Sequence, residues 1–316
     1  MFEVVRNTKI SFMSHRKVAY ALSLLVIVAG LASLAMKGGF RQGVDFAGGV
    51  LMDVRFTPPL DVDEVRRLAV EAGIDQAEIQ AGERGEFLIR LPAGDSEAGM
   101  ESAAADRLIA TVQSSHPGVQ ADLLRSEFVG PKVGRQLRGQ AFWAVTVSLI
   151  LILIYVTVRY EFRDGLAGIA ALAHDVLVVL AYMTLFNKEI SIPVIAALLT
   201  VGGYSINDKV VVFDRLRERR KGSDKHTDAQ LIDAALNETL SRTVVTGMSV
   251  IFTLQALIFF GGQVIHDFAV CILVGVIAGT YSSIYIGSGL VLDMVLRAER
   301  RKEARELLRA TSGARS

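Results

Sequence analysis

Long uncharged runs separated by short charged ones fill most of the chain outside a single hydrophilic insert. Val18–Met36 gives nineteen uncharged residues and Gly139–Val158 gives twenty. A helix rising ~1.5 Å per residue crosses the ~30 Å hydrocarbon core with about twenty residues, so both runs are long enough to span. Neither shows the polar stripe of a soluble amphipathic helix. Gly165–Asn187, the run descending from Ile190 to Asp208, Thr243–Ile265 and Phe268–Leu292 repeat the pattern. Six crossings are expected.

The insert, residues 37–138, has a different rhythm. Alternation over Val50–Phe56 predicts a strand, Pro58-Pro59 ends it, and Asp61–Ala72 places Val62, Val65, Leu68 and Ala69 at helical spacing. Ala77–Ala81 and Glu86–Leu91 read as strands about the turn Gly82-Glu83-Arg84-Gly85, Glu97–Ser115 as a helix and Val119–Phe128 as a last strand. The order βαββαβ is that of a ferredoxin-like split unit. The expected fold class is therefore a polytopic α-helical membrane protein with six transmembrane helices and an inserted extracytoplasmic α+β domain. Its divisions are an N-terminus 1–17, a first helix 18–36, the insert 37–138, helices two to six over 139–293 with a loop 214–241, and a basic tail 294–316.

Charge refines the topology. Lys209 to Arg242 holds eight Lys or Arg residues and the tail holds Arg297, Arg300, Arg301, Lys302, Arg305, Arg309 and Arg315, whereas Gln263–Asp267 has none. By the positive-inside rule both termini and the 214–241 loop face the cytoplasm. Asp228–Glu238 reads as an amphipathic helix in that loop. The first apolar run exceeds a signal h-region, so it is expected to be a retained anchor. With 34 Lys+Arg against 33 Asp+Glu, nothing favours nucleic acid as a partner. The single Cys271 offers neither a disulfide nor a thiolate metal site. No G-x-x-x-x-G-K-[ST] is present, so the chain is not expected to hydrolyse ATP. With no catalytic constellation in the insert and no metal-ligand cluster, neither an enzyme nor a bound cofactor or metal is expected.

The chemistry lies inside the apolar runs. Asp208 follows eighteen uncharged residues, Ile190–Asn207, and an acid at a helix centre costs roughly 2.5–3.5 kcal/mol. Lys209 is adjacent in sequence, but neighbours at i and i+1 point in different directions on a helix. Gly202-Gly203 lowers helix propensity just before the acid, allowing a local break or a close contact. His174 and Asp175 sit about ten residues inside the third run, near the midplane. They are either a structural pair bonding neighbouring helices or part of a polar relay. Arg242 opens the fifth run from the same side as Asp208. It is either a positive-inside anchor or the partner of Asp208, and a movement separating such a pair would change the proton occupancy of the acid. In the last run Gly275-x-x-x-Gly279 and Ser283-x-x-x-Gly287 argue for tight helix packing.

Five separated motifs carry a resemblance. Gly43-Val44-Asp45-Phe46-Ala47-Gly48-Gly49, Val129-Gly130-Pro131-Lys132-Val133-Gly134, His174-Asp175, the stretch Gly203–Glu218 around Asp208, and Leu240–Thr246 fall in the order found in the SecF family of protein-export membrane proteins. One departure is Lys209, where that family's pattern has a small hydroxyl residue. The resemblance implies a multi-pass protein of the bacterial inner membrane, in complex with SecD, associated with the SecYEG channel and with YajC as a further candidate. It would use the proton-motive force late in the export of polypeptides. The same resemblance makes Asp208 and Arg242 the proton-path pair, with Asp175 and His174 as further members. Two alternatives stand beside it: half of a proton-coupled small-molecule exporter of the resistance-nodulation-division type, and a structural assembly factor.

Overall fold

The apolar runs fold as helices that outlast the runs themselves. In the computed structural model, residues 8–74, 77–82, 85–92, 100–160, 162–221 and 227–313 are described. Among them six helical stretches are long and apolar enough to cross a membrane: Phe12–Met36, Pro131–Arg159, Arg163–Leu185, Ile192–Arg220, Asp228–Phe260 and Ile265–Glu306. The first begins with a 3₁₀ turn, Phe12–His15, and continues as α1 (Arg16–Met36). Two compact units emerge, one of Met1–Gly39, Thr146–Lys188 and Ala196–Ser316, the other of Phe40–Val145 and Glu189–Ile195.

In the second unit a short helix, α2 (Val44–Ala47), precedes β1 (Gly49–Thr57), α3 (Val62–Glu71), β2 (Glu78–Ala81), β3 (Glu86–Pro92), α4 (Met100–Ser115) and β4 (Gln120–Val129). The strands form one antiparallel sheet in the order β2-β3-β1-β4. Val54 pairs with Phe87 on one side of β1 and with Leu123 on the other. Alternate β1 residues Met52, Val54 and Phe56 are fully buried, and Val65 and Leu68 of α3 with Leu108 and Val112 of α4 complete their core. The Asp61 side chain accepts from the Asp63 N–H at 2.9 Å and caps α3. Of the sequence expectations, 97–99 of the second helix and Glu83-Arg84 of the turn lie outside the described residues.

α2 is an element the sequence reading did not contain, and it explains the glycines around it. Gly48 at φ 81° and Gly49 at φ 132° take the chain from this helix into β1 through conformations that a side chain disfavours. A Cβ on Gly134 would stand 2.9 Å from the Phe46 carbonyl, so the two glycine motifs of the unit pack on each other. The Asp45 carboxylate accepts from the Ile192 N–H at 2.8 Å, capping an otherwise unsatisfied helix N-terminus.

The remaining helices are α5 (Pro131–Arg159), α6 (Phe162–Leu185), α7 (Ile192–Arg220), α8 (Asp228–Phe260), α9 (Gly262–Ser282) and, after a π turn over Ser283–Gly287, α10 (Ser288–Gly313). The expected loop 214–241 is mostly helix, because α7 runs on to Arg220 and α8 starts at Asp228. Nothing in Asp214–Arg220 breaks a helix, and Thr227 starts the next one with a capping box to Gln230. The turn expected at Gln263–Asp267 lies instead at Gly261, where α8 ends and α9 begins at once. Phe213, Leu216, Ile232 and Leu236 meet Met13 and Val291 in the core of this unit. Leu22, Leu25, Trp143, Leu151, Phe252 and Phe260 face outward, an apolar surface that suits hydrocarbon and not water.

Candidate functional site

A lysine on an apolar helix must find anions or be expelled, and Lys209 finds them. Ser205 and Lys209 are one turn apart on α7 and share a face. The face carries them toward Asp175 of α6 and Ser282 at the end of α9. The Lys209 ammonium donates to Asp175 Oδ2 at 2.8 Å, to Ser282 Oγ at 3.0 Å, to the Ser205 carbonyl at 3.4 Å and also to Ser205 Oγ. Ser205 Oγ in turn donates to Asp175 Oδ2. Asp175, Ser205, Lys209 and Ser282 each have 0% exposure.

The network continues into α1. His174 Nδ1 lies 3.0 Å from Asp175 Oδ1, and His174 Nε2 lies 2.9 Å from Ser23 Oγ. Ser23 is also 3.3 Å from the Tyr281 hydroxyl, which donates to the Ala19 carbonyl at 2.7 Å. Ser23 has one hydroxyl hydrogen for these two neighbours, so which of them it serves follows the ring tautomer of His174.

Small residues make this contact possible. A Cβ on Gly279 would stand 2.9 Å from Ser205 Oγ, and one on Gly275 would collide with the Val201 side chain. A Cβ on Gly287 would stand at ordinary contact distance, 3.6 Å, from Ala171 Cβ and Phe213 Cζ. Both small-residue patterns of the last run are thus seated against α6 and α7.

Asp208 occupies another face of α7, turned about 100° from Lys209. It is 5% exposed, and its Oδ1 accepts from Thr243 Oγ1 of α8 at 3.4 Å. Its Oδ2 is buried without a hydrogen-bond partner among the described residues, as is the Tyr204 hydroxyl one turn earlier. Among the described residues Asp208 and Lys209 make no hydrogen bond or ion pair with each other; Lys209 turns to Asp175 and Asp208 to Thr243. The expected partner Arg242 is not there either: its side chain is exposed, and Thr243, the next residue, faces the acid. One step along α8 swings a side chain through ~100°, which is enough to exchange a guanidinium for a hydroxyl.

Of the four residues singled out from sequence, Asp175 and His174 meet directly, Asp208 lies one helix face away, and Arg242 stands apart. Lys209, Ser205, Ser282 and Ser23 are the network members sequence reasoning missed. Lys209 carried a signal, being a charge where a hydroxyl was expected; the serines carried none, since serine is ordinary inside packed helices. Among the described residues no group of His, Cys, Asp and Glu is arranged to hold a metal ion.

Six apolar helices with an internal lysine, aspartate and histidine network define a polytopic helical membrane protein with charge held inside its bundle. The family "Protein export membrane protein SecD/SecF, C-terminal" matches residues 109–297, and "SecD/SecF GG Motif" matches residues 33–60. The protein translocase subunit SecF of Vibrio alginolyticus is 38% identical over 301 residues, covering 95% of this chain and 94% of that one. The SecF subunit of Haemophilus influenzae is 39% identical over 290 residues, covering 91% of this chain and 87% of that one. The crystal structure of SecDF, a translocon-associated membrane protein from Thermus thermophilus, aligns with TM-score 0.79 at 39% identity, covering 93% of this chain and 39% of that longer one. The chain belongs to the SecF family of protein-export membrane proteins.

Proposed function

We propose that this chain is the SecF subunit of a SecD–SecF complex in the bacterial inner membrane, and that it uses the proton-motive force to promote late steps of polypeptide export. The SecD partner is supported by the longer SecDF chain, which this chain matches over 39% of its length. Association with the SecYEG channel is supported by that protein's description as translocon-associated; YajC remains a further candidate partner. In this reading both termini are cytoplasmic, and the insert is an extracytoplasmic ferredoxin-like unit, as its β1-α3-β2-β3-α4-β4 order and antiparallel sheet support. In this reading the chain acts as a transport subunit and not as an enzyme, and it uses no cofactor.

The observation that carries the proton-coupling part is the carboxylate of Asp208, buried with one oxygen unpartnered. A charged oxygen in that position is costly without a partner, so gain or loss of a proton there alters the packing energy of α7 against α8. Each charge crossing the membrane releases about 2.3 kcal/mol per 100 mV, enough to bias two helix arrangements. Arg242 keeps its role in this proposal only through a rearranged state in which it replaces Thr243.

Asp208→Asn retains shape and removes the titrating proton. In vesicles with matched amounts of complex, the variant is expected to assemble and to lose gradient-driven export while ATP-driven steps continue. Full gradient-driven export would end the proton-carrier reading. Loss of abundance or of SecD binding before loss of coupling would favour the structural assembly factor. Uptake of small molecules in place of polypeptide would favour the exporter.

A further inference from the structure

A cleft of about 520 Å³ opens where α10 leaves the bundle beside the start of α6. Among the described residues Arg163 of α6 and Arg297, Arg301, Lys302 and Arg305 of α10 line it, with Met294 toward the apolar side. The basic residues come from two elements far apart in sequence. On a helix turning ~100° per residue, the four α10 cations occupy a wedge of about 140°, and Glu299, Glu303 and Glu306 fall outside it. Among the described residues none of the five appears in an ion pair. Arg297, Arg301 and Arg305 are successive i, i+4 neighbours, a like-charge spacing that destabilises a helix unless an anion offsets it.

We propose that this cleft binds the phosphate headgroup of an anionic phospholipid. Arginine suits the task, because its planar donors engage phosphate oxygens two at a time. The lining favours lipid over a free anion: Met294 and Ala298 set apolar atoms beside the cations, and the stretch of α10 that lines the cleft continues a helix long and apolar enough to cross a membrane, Ile265–Glu306. Basic pockets between membrane helices take anionic headgroups by this means. The inference rests on the chain crossing a membrane, and not on its export role.

The test uses the purified full-length chain in neutral detergent, with bound lipid counted by native mass spectrometry. Phosphatidylglycerol should bind in preference to phosphatidylcholine with the same acyl chains. At ~1 kcal/mol per basic residue near the headgroup, Arg163→Gln and Arg301→Gln should each weaken phosphatidylglycerol binding about fivefold. Arg300→Gln, on the same helix but outside the wedge, should leave it unchanged. Equal binding of the two lipids, or equal loss in Arg300→Gln, would overturn the site in favour of diffuse tail charge. Displacement of the lipid by inorganic phosphate at the same concentration would show that the cleft takes a free anion instead. Because binding is read without export, a failed site and a failed export role give separate results.

Discussion

Lys209 Nζ lies 2.8 Å from Asp175 Oδ2, and neither side chain has any exposed surface. Removing one member of such a pair leaves a buried charge uncompensated, at about 3–5 kcal/mol, whereas replacing both by apolar residues of similar size is often nearly neutral. Lys209→Met and Asp175→Leu should therefore each lower stability by that amount, and the double variant should recover most of it. Thermal unfolding of the detergent-solubilised chain, corrected for its slope, reads the difference; equal losses in single and double variants would mean that the pair is not coupled.

Gly279 links helix packing to the same network. A methyl group there meets Ser205 Oγ and displaces it from Asp175. Overpacking of this kind costs roughly 1–3 kcal/mol. Gly279→Ala should be destabilised within that range, and adding Ser205→Gly should cost less than its own single effect. Additive losses in the double-mutant cycle would place the two residues out of contact.

Thr243 and Arg242 should behave oppositely despite their adjacency. Thr243→Val removes the donor to a buried carboxylate, so a loss of about 1–3 kcal/mol is expected. Arg242→Gln alters an exposed side chain and should stay within about 0.5 kcal/mol of the parent. A stability loss in Arg242→Gln as large as that in Thr243→Val would show that the arginine already reaches Asp208.

Asp53 of β1 gives the insert a pH signature. Its burial first, and the nearby Glu86 carboxylate second, hold its carboxyl above the ordinary carboxylate range. The folded chain then binds this proton more tightly than the unfolded chain. The contribution is fully present below the unfolded value and is lost as pH rises through the folded one. Hydrogen exchange of the β1 amides should accordingly quicken as pH climbs through that window, after correction for intrinsic exchange rates. Asp53→Asn should flatten the trend and slow β1 exchange at neutral pH; an unchanged trend would assign it to another group.

Much of the architecture follows from local rules that need no partner. Twenty uncharged residues such as Gly139–Val158 can satisfy their backbone in lipid only as a helix, and the alternation of Val50–Phe56 suits only a half-buried strand. The observed helix α5 and strand β1 contain both runs. Element ends were less legible, because α7 and α8 continue into polar sequence wherever no glycine or capping residue stops them. The acids at 175 and 208 were visible as well, since a carboxylate inside an apolar run stands out whatever surrounds it.

Which groups those acids meet was settled only by the packing. Asp175 is thirty-four residues from Lys209, and their contact depends on how α6 and α7 are rotated and how closely glycines let α9 approach. The same rotation turned Thr243 toward Asp208 and left Arg242 outside. A helical pattern determines the face on which a residue lies, but its reach to another helix depends on rotation about two axes and on the distance between them. Those quantities are set by the side chains of the whole bundle together, and no single stretch of sequence contains them.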